Sequence, residues 1–194
     1  MGPLCYLLRG AGYDHQISTT AVGSNHPICV LSKTPITTVP SENPLLRDSG
    51  LWLEINVQEH RFSFGVVHVP TKTRPAMKAF LSALVEIASI NIDDPLLLIG
   101  DFNTGIGPAD GPLNNFGDVD RFVALQGTGF SDAWRHIHGD KIEHTWCRGA
   151  KSYRIDHALT SPALASRIRD CRYSHLERDS GASDHSALLV EIED

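Results

Sequence analysis

Three short polar clusters punctuate the apolar runs of this 194-residue sequence, and each holds residue types that can do chemistry. The first is Gly100-Asp101-Phe102-Asn103, directly after Leu96-Leu97-Leu98-Ile99. On an extended backbone Asp101 and Asn103 share a face. A carboxylate beside an amide oxygen suits a hard cation such as Mg²⁺, or positions a water. The same residues also fit a plain Asp-Asn turn after a strand. The second cluster is Arg154-Ile155-Asp156-His157, before Ala158-Leu159, and the third is Ser183-Asp184-His185-Ser186, before Ala187-Leu188-Leu189-Val190. Asp184-His185 offers a cation ligand and an imidazole in one unit. Asp156 could fix that imidazole in one tautomer and stabilise its charged form. A lone Asp-His dipeptide more often has a structural reading.

The elements that must position these clusters follow from periodicity. Residues 3–9 read as the tail of a helix ended by Gly10 and Gly12. His26 to Ser32 reads as a buried strand leading to a turn at Thr34-Pro35. Leu51 to Val57 alternates, with Leu51, Leu53, Ile55 and Val57 on one face, and pairs as a hairpin with Phe62 to Val69. From Ala76 to Ile90, residues Met77, Phe80, Leu81, Leu84, Val85 and Ala88 fall at helical spacing. Pro95 to Ile99 is a strand, 104–117 a Gly/Pro-rich loop, and Val119 to Leu125 helical. Thr145-Trp146 and Arg154 to Leu159 read as strands. Ser161-Pro162 starts a helix, with serine as its cap, and Ser186 to Ile192 is the last strand. Adjacent strands outnumber helices, so the expected class is α/β (α+β), a layered β-sandwich of mixed sheets flanked by helices. A single domain over 1–194 is expected, since the length suits one and no linker divides it.

Composition narrows the function. Hydrophobic residues make up 41% and charged residues 21%, which argues against disorder. No apolar run approaches the roughly 18 residues of a membrane span, and no signal peptide is visible. The net charge is −6, yet residues 141–178 carry 8 basic and 4 acidic side chains. A uniformly basic nucleic-acid coat is excluded; a local phosphate-facing patch is not. Cys5, Cys29, Cys147 and Cys171 lie far apart, which suits reduced thiols and a cytoplasmic location rather than zinc or a disulfide framework.

Gly-Asp-Phe-Asn, then Arg-Ile-Asp-His, then Ser-Asp-His before the last strand together resemble the endonuclease/exonuclease/phosphatase superfamily, whose members include deoxyribonuclease I and exonuclease III. His26 to Ile36 is similar to the family strand ending Leu-Ser-Arg-x-Pro, and Val67-His68-Val69 to its histidine-bearing strand. Gly129-Phe130-Ser131-Asp132-Ala133-Trp134-Arg135, with Thr145-Trp146, looks most like the exonuclease III and abasic-site branch. His68, where that branch has tyrosine, is closer to deoxyribonuclease I and the phosphodiesterases. The resemblance runs from about residue 20 to the end. The family's opening Asn strand and Gln-Glu strand have no equivalent in residues 1–25, and Glu42 and Glu54 fall at the wrong motif positions. The chain is therefore expected to be a fragment, a mis-called start or a shortened member.

The resemblance implies hydrolysis of phosphate esters with Mg²⁺ or Mn²⁺. It implies that Asp101 orients or deprotonates the attacking water, Asn103 binds a phosphate oxygen or supports the metal, and His185, held by Asp156, acts on the phosphate. Asp184 would be the remaining clear metal ligand, and His68 would help protonate the leaving group. Arg148, Lys151 and Arg154 would hold flanking phosphates. The expected substrate is DNA. A phosphodiesterase or phosphatase on a small or lipid substrate, and a silent binding relative, are the alternatives. Self-association over the missing-strand edge is a further expectation.

Overall fold

The computed structural model describes residues 3–19, 27–71, 73–112 and 116–194. In chain order the elements are α1 (Pro3–Gly10), β1 (His15–Ser18), β2 (Cys29–Ser32), β3 (Ile36–Val39), α2 (Pro44–Ser49), β4 (Trp52–Val57), β5 (Phe62–His68), α3 (Arg74–Ile90) and β6 (Leu96–Asp101). There follow α4 (Val119–Gly127), β7 (Ser131–Asp132), α5 (Ala133–His138), β8 (Trp146–Arg148), β9 (Lys151–Tyr153), β10 (Asp156–Thr160), α6 (Pro162–Ala165), β11 (Ile168–Ser174), α7 (Leu176–Asp179) and β12 (Ala187–Ile192). A six-stranded mixed sheet in the order β3-β4-β5-β6-β10-β7 forms the centre. Only β5 and β6 run parallel within it, and α3 makes the crossover between them.

Helix α3 forms where its sequence directs. Thr73 caps it by accepting the Ala76 N–H at 3.3 Å, and Pro75 lies in its first turn. Met77, Phe80, Leu81, Leu84, Ile87 and Ala88 then make one buried stripe. That stripe packs with Trp52, Val67, Leu96, Leu98, Phe122 and Leu159 on one face of the sheet. The opposite face is covered by two strand pairs. Ile28, just before β2, and Val30 within it lie with Leu53, Ile55 and Val57. Ile168 and Cys171 of β11, with Leu188 and Val190 of β12, lie against Leu97, Ile99 and Ala158. Strand β6 is thus apolar on both faces, as a central strand must be. The layered α/β arrangement of the sequence reading is the one observed.

Three local readings need correction. Leu51 precedes β4 and joins the helix-side cluster, so it does not share a face with Leu53, Ile55 and Val57. Ser161 makes no side-chain cap of α6; its hydroxyl donates to the Asp94 carbonyl at 2.7 Å and accepts the Leu96 N–H at 3.1 Å, tying the start of β6 to the end of β10. Strand β11 escaped the pattern because its register shifts between Ile168 and Asp170, which breaks the two-residue period. His26, the first residue of the first expected strand, lies outside the described residues; that strand is β2, which begins at Cys29, and β1 before it was not expected.

Candidate active site

Four strand ends deliver the site. Asp101 closes β6, and in the sheet it sits opposite Asp156, the first residue of β10, on one side and His68, the last of β5, on the other. His185 reaches the same place through a single β-bridge to Trp146. Gly100 is required beneath it. Its φ is +142°, and a Cβ there would lie 2.1 Å from the Val67 carbonyl oxygen, so only glycine lets β5 and β6 approach and aim Asp101 outward. Asn103 then takes a left-handed turn at φ 52°, a conformation asparagine tolerates. Its backbone N–H donates to Asp101 Oδ1 at 2.8 Å, and its Nδ2 donates to Asp101 Oδ2 at 3.0 Å and to the Val69 carbonyl at 2.8 Å. With both amide hydrogens committed, Asn103 offers the pocket its Oδ1.

The cavity holds about 690 Å³ and is lined by His68, Thr71, Asp101, Asn103, Arg148, Asp156, Asp184 and His185. Both carboxylate oxygens of Asp156 face His185 Nδ1, at 2.9 and 3.2 Å, which leaves Nε2 as the outward atom of the imidazole. Ligand atoms of Asp101, Asp156 and His185 all lie within 4.8 Å of one another. Asp184 is exposed at the rim, its Oδ2 accepting the Trp146 indole N–H at 2.9 Å; that bond leads the effects that hold its carboxyl below the ordinary range. His68 Nε2 lies 3.9 Å from Asp101 Oδ2. A second cavity of about 360 Å³ adjoins the first through Asn103 and His185. Its walls include Lys151, Phe116 and the stacked rings of Trp146 and Tyr153, whose centroids are 5.8 Å apart.

Eight of the nine residues singled out in the sequence therefore line these two adjoining cavities. Arg154 is the exception. It is 1% exposed, donates to Asp110 Oδ1 and Asp132 Oδ2 at 2.7 Å each, and lies over the Trp134 ring. A guanidinium so committed is a structural ion, not a phosphate contact. Glu42 is exposed, and Glu54 lines a separate cavity at the other end of the sheet with Asn56, Ser63 and Leu96. The sequence marked Thr145 only as part of the Thr145-Trp146 strand and gave it no role; it is fully buried, and its hydroxyl accepts the Asp156 N–H at 3.2 Å.

Electrostatics set the site apart from its surroundings. Burial, reinforced by the facing Asp156, pushes the Asp101 carboxyl up to about 7, against the lowering pull of the Asn103 hydrogen bonds and His185. For His185, burial disfavours the imidazolium, but the hydrogen bond and charge of Asp156 outweigh it and the net shift is upward. Because Asp101 binds its proton more tightly folded than unfolded, stability falls as pH rises from about 3.8 through about 7. Asp101→Asn should therefore stabilise the chelator-treated protein at pH 8, with part of the gain offset by the loss of one hydrogen bond from Asn103. The gain should vanish at pH 4. Urea unfolding at the two pH values checks this, and an unchanged midpoint at pH 8 would contradict it.

The chain belongs to the endonuclease/exonuclease/phosphatase family, whose sequence profile matches residues 3–185. Two curated exodeoxyribonucleases of Streptococcus pneumoniae, from serotype 4 strain TIGR4 and strain R6, are each 32% identical over 126 residues. Those alignments cover 55% of this chain and 44% of each relative, so the match spans under half the relatives' length. Among solved structures, an AP endonuclease from Archaeoglobus fulgidus superposes with a TM-score of 0.81 at 19% identity, covering 100% of this chain and 84% of that one. A variant of the 3′ phosphatase NExo from Neisseria, bound to a product DNA hairpin, gives 0.77 at 21% identity, covering 97% and 82%. Both share the fold.

Proposed function

We propose that this protein hydrolyses phosphodiester bonds in DNA with the help of Mg²⁺ or Mn²⁺. The observation that carries the reading is the Asp156–His185 pair set beside Asp101 at the mouth of one cavity. The donor set fits a divalent cation. Two carboxylates face each other, and the only ion-pair partner of Asp101 among the described residues is His68. Hard cations take oxygen ligands, and both Asp156 oxygens are turned to His185 Nδ1, so Asp101, Asn103 Oδ1 and Asp184, which line the same cavity, are the groups that would hold the ion. When bound, it would neutralise phosphate oxygens and stabilise charge on the leaving oxygen.

The protein's own groups then divide the work. Asp101 orients the attacking water and accepts its proton. Asp156 fixes the His185 tautomer and favours its charged form, so Nε2 donates to a phosphate oxygen where negative charge builds. His68 supplies a proton to the leaving group. Arg148 and Lys151, at the rims of the two cavities, hold flanking phosphates. Support for DNA over a small ester comes from this basic rim, the aromatic cavity beside it and the likeness to exodeoxyribonucleases. The wide spacing of Cys5, Cys29, Cys147 and Cys171 in the sequence suits reduced thiols and a cytoplasmic setting. The pairs β1–β2 and β11–β12 do not hydrogen-bond to one another among the described residues, and we infer self-association through such an edge, readable by sedimentation.

The deciding experiment offers an end-labelled duplex, a duplex with an abasic-site analogue and bis(p-nitrophenyl) phosphate, each with Mg²⁺, Mn²⁺ or EDTA. Metal-dependent cleavage of a duplex is the expected result. Turnover of the chromogenic ester alone would favour a small substrate. No turnover by folded protein at high Mn²⁺ would make the chain a silent relative.

A further inference from the structure

We propose that Thr145 is a positioning residue for the Asp156–His185 pair, a role that deepens the hydrolytic reading above and rests on it. Thr145 is fully buried and sits where the two halves of the pair meet. Its hydroxyl oxygen accepts two backbone N–H groups, from Ile155 at 3.1 Å and from Asp156 itself at 3.2 Å. Its carbonyl accepts the N–H of Ser186, the neighbour of His185, at 2.7 Å. Its own N–H donates to the Tyr153 carbonyl at 2.8 Å. One residue therefore holds the backbone on both sides of the pair.

The demand for a hydroxyl here is specific. Two N–H groups point inward just where the chain enters β10, and neither can use the sheet ladder while both aim at one atom. A buried donor left without an acceptor is costly, so the chain would shift to rescue it. A shift at residues 155–156 moves the Asp156 carboxylate directly. The Tyr173 hydroxyl, which donates to the Asp156 carbonyl at 2.7 Å, holds the far side of the same residue. Thr145 thus acts at one remove from the reacting atoms. Displacements of about 1 Å at a catalytic group can cost about 100-fold in rate.

Thr145→Val keeps shape and removes the acceptor; Thr145→Ser keeps the acceptor and removes a methyl. On a labelled duplex, Thr145→Val should lower kcat about 10- to 100-fold with KM within about twofold, and Thr145→Ser should stay within about threefold of the parent. A second readout needs no turnover. In metal-free protein, the NMR resonance of the His185 Nδ1 proton, which reports its bond to Asp156, should move or broaden in Thr145→Val and persist in Thr145→Ser. If the parent proves inactive, the hydrolytic reading fails while this resonance still decides the positioning role. A Thr145→Val protein with parental kcat or an unmoved resonance would overturn the proposal. Should Thr145→Val not fold, Thr145→Ser decides: retention of kcat and resonance supports the role, and a tenfold loss or a shifted resonance in folded protein overturns it.

Discussion

On the hydrolytic reading proposed above, replacing His185 by alanine should lower metal-dependent DNA cleavage about 10²- to 10³-fold, because a donor placed where transition-state charge develops is worth that much. Thermal stability should fall only modestly, by about 1 kcal/mol for the lost hydrogen bond. The His185 side chain is 30% exposed, and that of its partner Asp156 is 13% exposed. Asp156→Asn is a sharper comparison, since it leaves the imidazole in place but removes the carboxylate that raises its proton affinity. The charged imidazole should then be lost at lower pH than in the parent, moving the falling limb of the pH–rate profile to the acid side. Single-turnover rates across pH 5–9 measure both effects. A His185→Ala protein retaining most of its rate would remove His185 from the mechanism.

Arg154→Ala should be strongly destabilising, costing about 3–5 kcal/mol at neutral pH. Arg154 sits between Asp110 and Asp132, whose side chains are 3% exposed, and Arg135 also pairs with Asp110. Burial by itself would raise the Asp132 carboxyl. Its hydrogen bond to His157 and the charge and hydrogen bond of Arg154 carry it well below the ordinary range instead. Without the guanidinium, buried anions remain with too few partners. The sign of the pH dependence follows. In the parent these depressed carboxyls contribute stability above their unfolded value of about 3.8, lost only as pH falls through the still lower folded values. In the variant Asp132 binds its proton more tightly, so the deficit should be largest near pH 7.5 and shrink towards pH 5. Urea unfolding at both values tests this. A loss under about 1 kcal/mol at pH 7.5 would mean that His157 and Arg135 suffice to hold the two carboxylates.

The reach of the sequence is clearest where period and chemistry coincide. The apolar run of β6 followed by Asp101, the alternation of β12 preceded by His185, and the stripe of α3 could each be read directly. In each, local spacing dictates both the element and the place of the polar residue at its end. Identical signals can nevertheless hide opposite fates. Arg148, Lys151 and Arg154 form one basic stretch, yet β8 and β9 hold the first two at cavity rims while Arg154 turns inward to Asp110 and Asp132. Those acids lie 44 and 22 residues away, and no local pattern records such a pairing. Asp156 and Asp184 differ likewise. Both precede a histidine, but register sets Asp156 against Asp101, while Asp184 leans out to the Trp146 indole. By itself the sequence determined which residues could do chemistry and which elements would present them. Tertiary structure alone decided which of them share a cavity, which are buried as structural ions, and that Thr145 stands behind the pair. The reason is physical: hydrophobic period is a short-range property of the chain, whereas ion pairing and backbone satisfaction are settled only when distant strands fix their register.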